Sequence, residues 1–364
     1  MKRLCSFLFL ALLAPLHASL EPAIDALLAV QREGQGNEAA TAAWNDIVQT
    51  GPPVLPAVIA ASGRGTPMAD NWLRLAGDAI VEAALQKKQP LPLSAIETIL
   101  KDTTYPAPAR LLAFDLIRQA DAPRATDLEP ALLADPVQGL RRGAVQRLID
   151  TARTQQGETA KATYLQALDA VRDEDQTKVI AAALKDLQVP VDLPKHFGFL
   201  MQWQVIGPFA NANRQGFDTV FPPEKEIRLD ATYDGKDGPV KWQAFESKDE
   251  AGKLDFNKPL GMLKESTAYA LATFDSPTER AAELRLGCKN AWKVWLNGEL
   301  LFGRDEYHRG QQMDQYILPV RLKKGENTVL VKACQNEQKE QWTVEWEFQL
   351  RVCDSAGTAI LAAK

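Results

Sequence analysis

The chain has 364 residues, enough for two domains. Apolar residues make up 46% of it, which excludes wholesale disorder, and a net charge of −5 leaves no basic excess to neutralise nucleic-acid phosphates. Four cysteines are too few for a disulfide-built scaffold.

Met1, Lys2 and Arg3 form a short basic start, and an apolar stretch from Leu4 to Ala14 follows, interrupted only by Ser6. With Pro15, Leu16, His17 and Ala18 behind it, this is the three-part pattern of a secretory signal peptide over residues 1–18, with cleavage expected after Ala18. The run is much shorter than the roughly 20 apolar residues of a membrane span. Cys5 lies too early for lipid attachment, and no second long apolar segment follows. The expected mature product is secreted or periplasmic, with no membrane span. It keeps Cys288, Cys334 and Cys353, and spacing does not choose a pair among them.

Residues 19–190 read as helices. Ile24, Leu27 and Leu28 share a helical face, as do Trp44, Ile47 and Val48. Gly51-Pro52-Pro53 breaks the pattern, and Trp72, Leu75, Ala76 and Ile80 restart it. Ser94 and Glu97 have the spacing of a capping box ahead of Ile99 and Leu100. Later faces carry Leu112, Leu116 and Ile117, then Leu140, Ala144 and Leu148, and finally Leu165, Leu168 and Val171 and then Ile180, Ala183 and Leu184. Arg110, Ala113, Phe114 and Ile117 match Arg141, Ala144, Val145 and Leu148 thirty-one residues on, and Asp135-Pro136 precedes the second set. The segment from Asp135 to Val145 resembles the start of a HEAT-like repeat. That resemblance implies an α-solenoid in which an acidic residue and an arginine tie successive helix pairs together, and whose concave face binds protein.

Pro190 and Pro194 stop the helical pattern, and residues 191–199 read as an extended linker. From residue 200 to 364 the period changes to two. Met201, Trp203 and Val205 alternate with polar neighbours, as do Leu284, Leu286 and Cys288, and Trp292, Val294 and Leu296. Trp342, Val344, Trp346, Phe348, Leu350 and Val352 extend the pattern over eleven residues, which predicts one long strand with Trp342 and Trp346 in the core. Asn297-Gly298 is a hairpin signal, and Lys324-Gly325-Glu326-Asn327 is a turn ahead of Thr328–Cys334. The fold class expected is α+β and multidomain, a helical N-terminal domain followed by an antiparallel β-sandwich.

Val294-Trp295-Leu296-Asn297-Gly298 and the segment Val320–Val331 together resemble the galactose-binding-like jelly roll of carbohydrate-binding modules and of domains beside glycosidase barrels. The resemblance implies glycan binding through variable loops, so no site residue carries over. It leaves open a structural calcium with no identified ligands. Asp234-Gly235-Lys236-Asp237-Gly238 lacks the ligand set of a calcium loop and reads as a plain turn.

No catalytic motif, metal-ligand cluster or cofactor loop is present, and no catalytic residue or cofactor is assigned. His196 reads as a packing or linker residue. Arg304, Asp305, Tyr307, His308 and Arg309 form a polar loop with the donors and acceptors to grip a sugar or carboxylate. Trp295 and Trp242 fall on the polar side of their strands, where an exposed indole would stack on a pyranose. Asn336 and Gln338 lie in a polar hairpin tip between Cys334 and Trp342. The function expected is non-catalytic extracytoplasmic binding, with the sandwich taking glycan or an envelope protein and the helices taking protein. The alternative is a hydrolase of polysaccharide or peptidoglycan with a site between the halves.

Overall fold

The computed structural model describes residues 13–363. The basic start and most of the apolar run of the expected signal peptide lie outside the described residues. No helix among them is long and apolar enough to cross a membrane. The chain forms two compact units that divide between Asp150 and Thr151.

The first unit is helical: α1 (Leu13–Leu28), α2 (Asn37–Thr50), α3 (Leu55–Ala61), α4 (Pro67–Gln86), α5 (Leu93–Lys101), α6 (Ala107–Ala120), α7 (Ala122–Leu132) and most of α8 (Gln138–Arg153). Neighbours in sequence pack together, α1 on α2, α3 on α4, α5 on α6 and α6 on α7. Their apolar stripes build one core that includes Ile24, Leu73, Ile80, Leu112 and Leu140. The expected capping box does not form. Helix α5 begins at Leu93 with no side-chain cap, Ser94 lies inside it, and Glu97 pairs with Lys101 and Arg124 instead.

The second unit opens with α9 (Gly157–Ala170) and α10 (Glu174–Asp186), so these helices cluster with the sheets rather than with the first unit. The segment read as extended linker contains a short helix, α11 (Leu193–Phe197), capped by Asp192 accepting from Lys195 N at 3.0 Å. His196 packs edge-on against Phe197, and burial beside Arg172 lowers its pKa to about 4.

The strands follow as β1 (Gln202–Ala210), β2 (Thr232–Asp234), β3 (Pro239–Lys241), β4 (Gln243–Glu246), β5 (Lys253–Asp255), β6 (Ser266–Ser276), β7 (Arg280–Cys288), β8 (Ala291–Leu296), β9 (Glu299–Arg304), β10 (Tyr316–Leu322), β11 (Gly325–Gln335) and β12 (Glu347–Cys353). Short helices α12 (Pro222–Lys225) and α13 (Asn257–Leu260) lie between them. One sheet has the order β4-β1-β6-β11-β8-β9, a second β10-β7-β12-β5, and β2 and β3 make a small ribbon. Every pairing is antiparallel. Asn297 and Gly298 turn β8 into β9 with both φ angles positive, 53° and 84°, as a two-residue hairpin loop requires.

Period-two side chains of the two large sheets meet in a core holding Trp203, Leu284, Leu286, Trp292, Val331 and Phe348. Trp203 and Phe348 touch edge to face across it, 5.1 Å between centroids. The six-stranded sheet has a second apolar face. Ile206, Phe209, Tyr269, Leu271, Trp295 and Leu330 point away from the sandwich interior and pack under Val240, Trp242 and Phe221. This second core decides the fate of two candidate residues. Trp295 is 6% exposed and Trp242 9%, so both are packing residues rather than open stacking platforms.

The long strand expected over residues 342–352 is also interrupted. Strand β12 starts at Glu347, and a 3-10 turn occupies Gln341–Thr343. Strand β11 pairs in one sheet and β12 in the other, so residues 336–346 cross between sheets rather than forming a hairpin tip. Trp346 is buried as expected, whereas Trp342 is 60% exposed. All three described cysteines are free and buried.

Candidate functional site

Strand directions alternate along the six-stranded sheet, so β1, β11 and β9 run the same way and end at one margin. The segments that leave those ends are a 3-10 turn at Ala212–Phe217, the crossing 336–346 and the loop after Arg304. Together they enclose a cleft of about 460 Å³ lined by Arg214, Asp305, Tyr307, His308, Arg309, Gln338 and Trp342. Five of these belong to the polar loops singled out in the sequence. Arg214 and Trp342 do not.

Tyr307 sits at the back. Its hydroxyl accepts from Asn211 Nδ2 at 3.1 Å, and the Arg214 guanidinium lies 5.2 Å from its ring centroid. Burial pushes the Tyr307 phenol well above its ordinary value, so it stays neutral. Arg214 turns its Nε and Nη2 onto the two oxygens of Glu337, at 3.1 and 2.5 Å. This fork holds the Glu337 carboxyl down at about 2, and the same pair raises the Arg214 pKa. Asp305 moves the other way. Burial and the nearby charge of Asp218 raise its carboxyl above the ordinary range, against the pull of Arg214 and Lys293.

His308 has a positive φ of 58°, and its N–H donates to Lys289 O at 2.7 Å. Its Nε2 lies 3.0 Å from Asn336 Oδ1, a bond that needs the proton on Nε2. Asn336 is fully buried, and its amide also donates to Gln338 Oε1 at 3.0 Å. Asn336 therefore braces the cleft from beneath and does not face a ligand. The His308 ring meets Trp342 edge-on, 5.2 Å between centroids, which fixes one side of the indole and leaves the other open. Arg304 sits outside the lining and pairs with Glu306 at 3.0 Å, and Arg309 reaches the same carboxylate at 3.4 Å.

The cleft thus offers one open aromatic face among carboxylate, guanidinium, imidazole and amide groups. Such a set can take the apolar face of a ring and hydrogen-bond the hydroxyls at its edge. Trp342 had a readable signal in its spacing but the wrong implied environment. Arg214 had none, because it meets Tyr307 from across the sheet.

No family model matches the chain, and no curated protein does. Among solved structures it is similar to the β-glucosidase of Kluyveromyces marxianus, at 16% identity over 24% of this chain and 11% of that one, with a TM-score of 0.20. A family 35 carbohydrate-binding module from Clostridium thermocellum matches at 11% identity over 24% of this chain and 71% of that one, with a TM-score of 0.19. An alkylpurine DNA glycosylase of Pseudomonas fluorescens matches at 11% identity over 94% and 95%, with a TM-score of 0.22. The chain spans about a tenth of the length of the first of these. Scores this low carry no argument about ligand or reaction.

Proposed function

We propose that this protein is a non-catalytic extracytoplasmic binder whose sandwich takes a saccharide at the cleft of Trp342, Tyr307 and Asp305. The observation that carries this reading is the 60% exposure of Trp342 beside polar groups. An indole open at a cleft presents an apolar stacking face, and a pyranose has the matching apolar face and polar rim. The export pattern of residues 1–18 supports an extracytoplasmic setting. The buried pair of Arg110 and Asp135 is the kind of tie that the HEAT-like resemblance implies, and it supports a protein-binding role for the helical unit.

Cleavage of a glycosidic bond would call for two carboxylates across the cleft. Favouring binding instead, Asp305 is the carboxylate in the lining and Glu337 is held by Arg214. Calorimetric titration of the full chain with a panel of neutral and acidic oligosaccharides tests the reading. Binding of at least one is expected, with Trp342→Ala weakening it by about tenfold or more. If no saccharide binds at millimolar concentration, the glycan reading is wrong and an envelope protein takes its place as the ligand.

A further inference from the structure

The turn that carries Arg214 is strained. Asn213 and Arg214 both adopt left-handed backbone angles, with φ of 53° and 62°. Asparagine tolerates that region, but for arginine it is costly, and such a conformation persists only where the surroundings over-determine it. Two anchors do so. On the near side, Asn211 is 1% exposed; its amide donates to Gln335 O at 2.9 Å and its oxygen accepts from Gly216 N at 2.8 Å.

The far anchor is Lys332, on the outer face of β11. Its ammonium is fully buried and donates to Phe217 O at 3.1 Å, Thr219 O at 2.8 Å and Glu224 Oε1 at 2.8 Å. The rings of Phe221 and Tyr269 lie 5.3 and 5.7 Å from it, and the Tyr269 hydroxyl donates to the same Glu224 oxygen. A lysine buried this completely is expensive unless every donor is used. Here the carbonyls it takes belong to the last residue of the strained turn and to Thr219, two residues on. An apolar residue at this place in the second core would pack with less desolvation but could not reach those carbonyls.

We infer that Lys332 is a positioning residue for the cleft, fixing from inside the second core the turn that sets Arg214 against Tyr307 and Glu337. As a statement about ligand binding this rests on the saccharide reading above. As a statement about Arg214 it stands without any ligand. Once the turn is released, Arg214 leaves the strained conformation, and the Glu337 carboxyl loses the fork that holds it down at about 2.

Carbon-13 titration of the Glu337 carboxyl in the ligand-free full chain reads this directly. The test variant is the double substitution Lys332→Met and Glu224→Gln, which removes both charges together and leaves an acceptor for Tyr269. About one pH unit below the ordinary carboxylate value of 4.5, Glu337 is ionised in the parent protein and mostly protonated in the variant. Val331→Ala, on the same strand but in the inner core, destabilises without moving the Glu337 titration. If the double variant does not fold, Lys332→Gln combined with Glu224→Gln keeps a polar side chain in the pocket, is too short to hold both the Phe217 and Thr219 carbonyls, and shows a smaller shift in the same direction. An unchanged Glu337 titration in folded variants overturns the positioning role and leaves Lys332 with fold stability alone. Saccharide affinity, measured in parallel, is expected to fall by about tenfold in the double variant. Absence of binding in the parent protein sinks the saccharide reading and leaves the titration result standing.

Discussion

Arg110 donates to both carboxylate oxygens of Asp135, at 2.8 and 2.5 Å, with neither side chain more than 5% exposed. The same arginine donates through Nε to Leu100 O at 2.8 Å, and Asp135 accepts from Val137 N at 2.8 Å. One pair therefore joins the end of α5, the body of α6 and the entry to α8. Removing one partner leaves the other charge buried without compensation, so Asp135→Ala is expected to lower stability by about 3–5 kcal/mol in urea unfolding. A loss below about 1 kcal/mol would mean that the pair is dispensable.

The two tryptophans of the crossing segment should respond oppositely to truncation. Trp346 is fully buried, touches Phe256 at 5.1 Å and donates to Ala333 O at 3.2 Å. Trp346→Ala is expected to cost about 3–5 kcal/mol. Trp342→Ala should stay within about 0.5 kcal/mol of the parent, because its ring is mostly in solvent. Thermal unfolding of the two variants side by side checks the contrast.

Backbone strain at Arg214 makes a prediction of unusual sign. Arg214→Gly removes a side chain from a left-handed position and is expected to raise stability by up to about 1 kcal/mol. Arg214→Ala loses the same exposed Glu337 pair but keeps the strain, so it should be neutral or slightly destabilising and less stable than the glycine variant. Equal stability of the two variants in denaturant titration would show that the turn is unstrained.

Stability should also fall on mild acidification through His196. Its folded pKa of about 4 lies below the ordinary 6.5, so the unfolded chain binds the proton first as pH drops. The contribution is complete above the unfolded value and is lost progressively as pH falls toward the folded one. The expected slope is about 1 kcal/mol per pH unit in that window, and His196→Gln should flatten it.

Burial raises the thiol of Cys288 to about 12 and those of Cys334 and Cys353 to about 11. Thiolate is the reactive form, so none of the three should react with a disulfide reagent at neutral pH in the native protein. All three should react on unfolding, as measured by release of the chromogenic thiol.

Legibility followed the range of the interactions. Asn297-Gly298 declares its turn locally, and the alternation through Leu284 to Leu296 declares its strands, because both signals lie within a few residues. For Trp295 alternation reports which face the residue takes, not what covers that face. Its cover comes from Trp242 and Val240, residues far away in the chain. Trp342 kept the period of a strand, but the chain there is crossing between sheets, and no ladder exists to enforce the pattern. The loop from Asp305 to Arg309 was readable from its chemistry, yet Arg214 was not, since only the shared direction of β1 and β9 brings it there. Asn336 looked like a ligand contact because amide-rich loops usually face water, and only burial shows that it serves His308 and Gln338.

The shared direction of β1, β11 and β9 separates two kinds of information along the chain. The strands hold the sheet together through inward side chains, and the cleft is written almost entirely in the segments between them. Changing Gln338 or Arg309 alters the lining of the cleft without entering either core. Asn211, Asn336 and Lys332 are exceptions, each serving scaffold and cleft at once. The rim can therefore be rewritten without disturbing either core, provided that those three residues are kept.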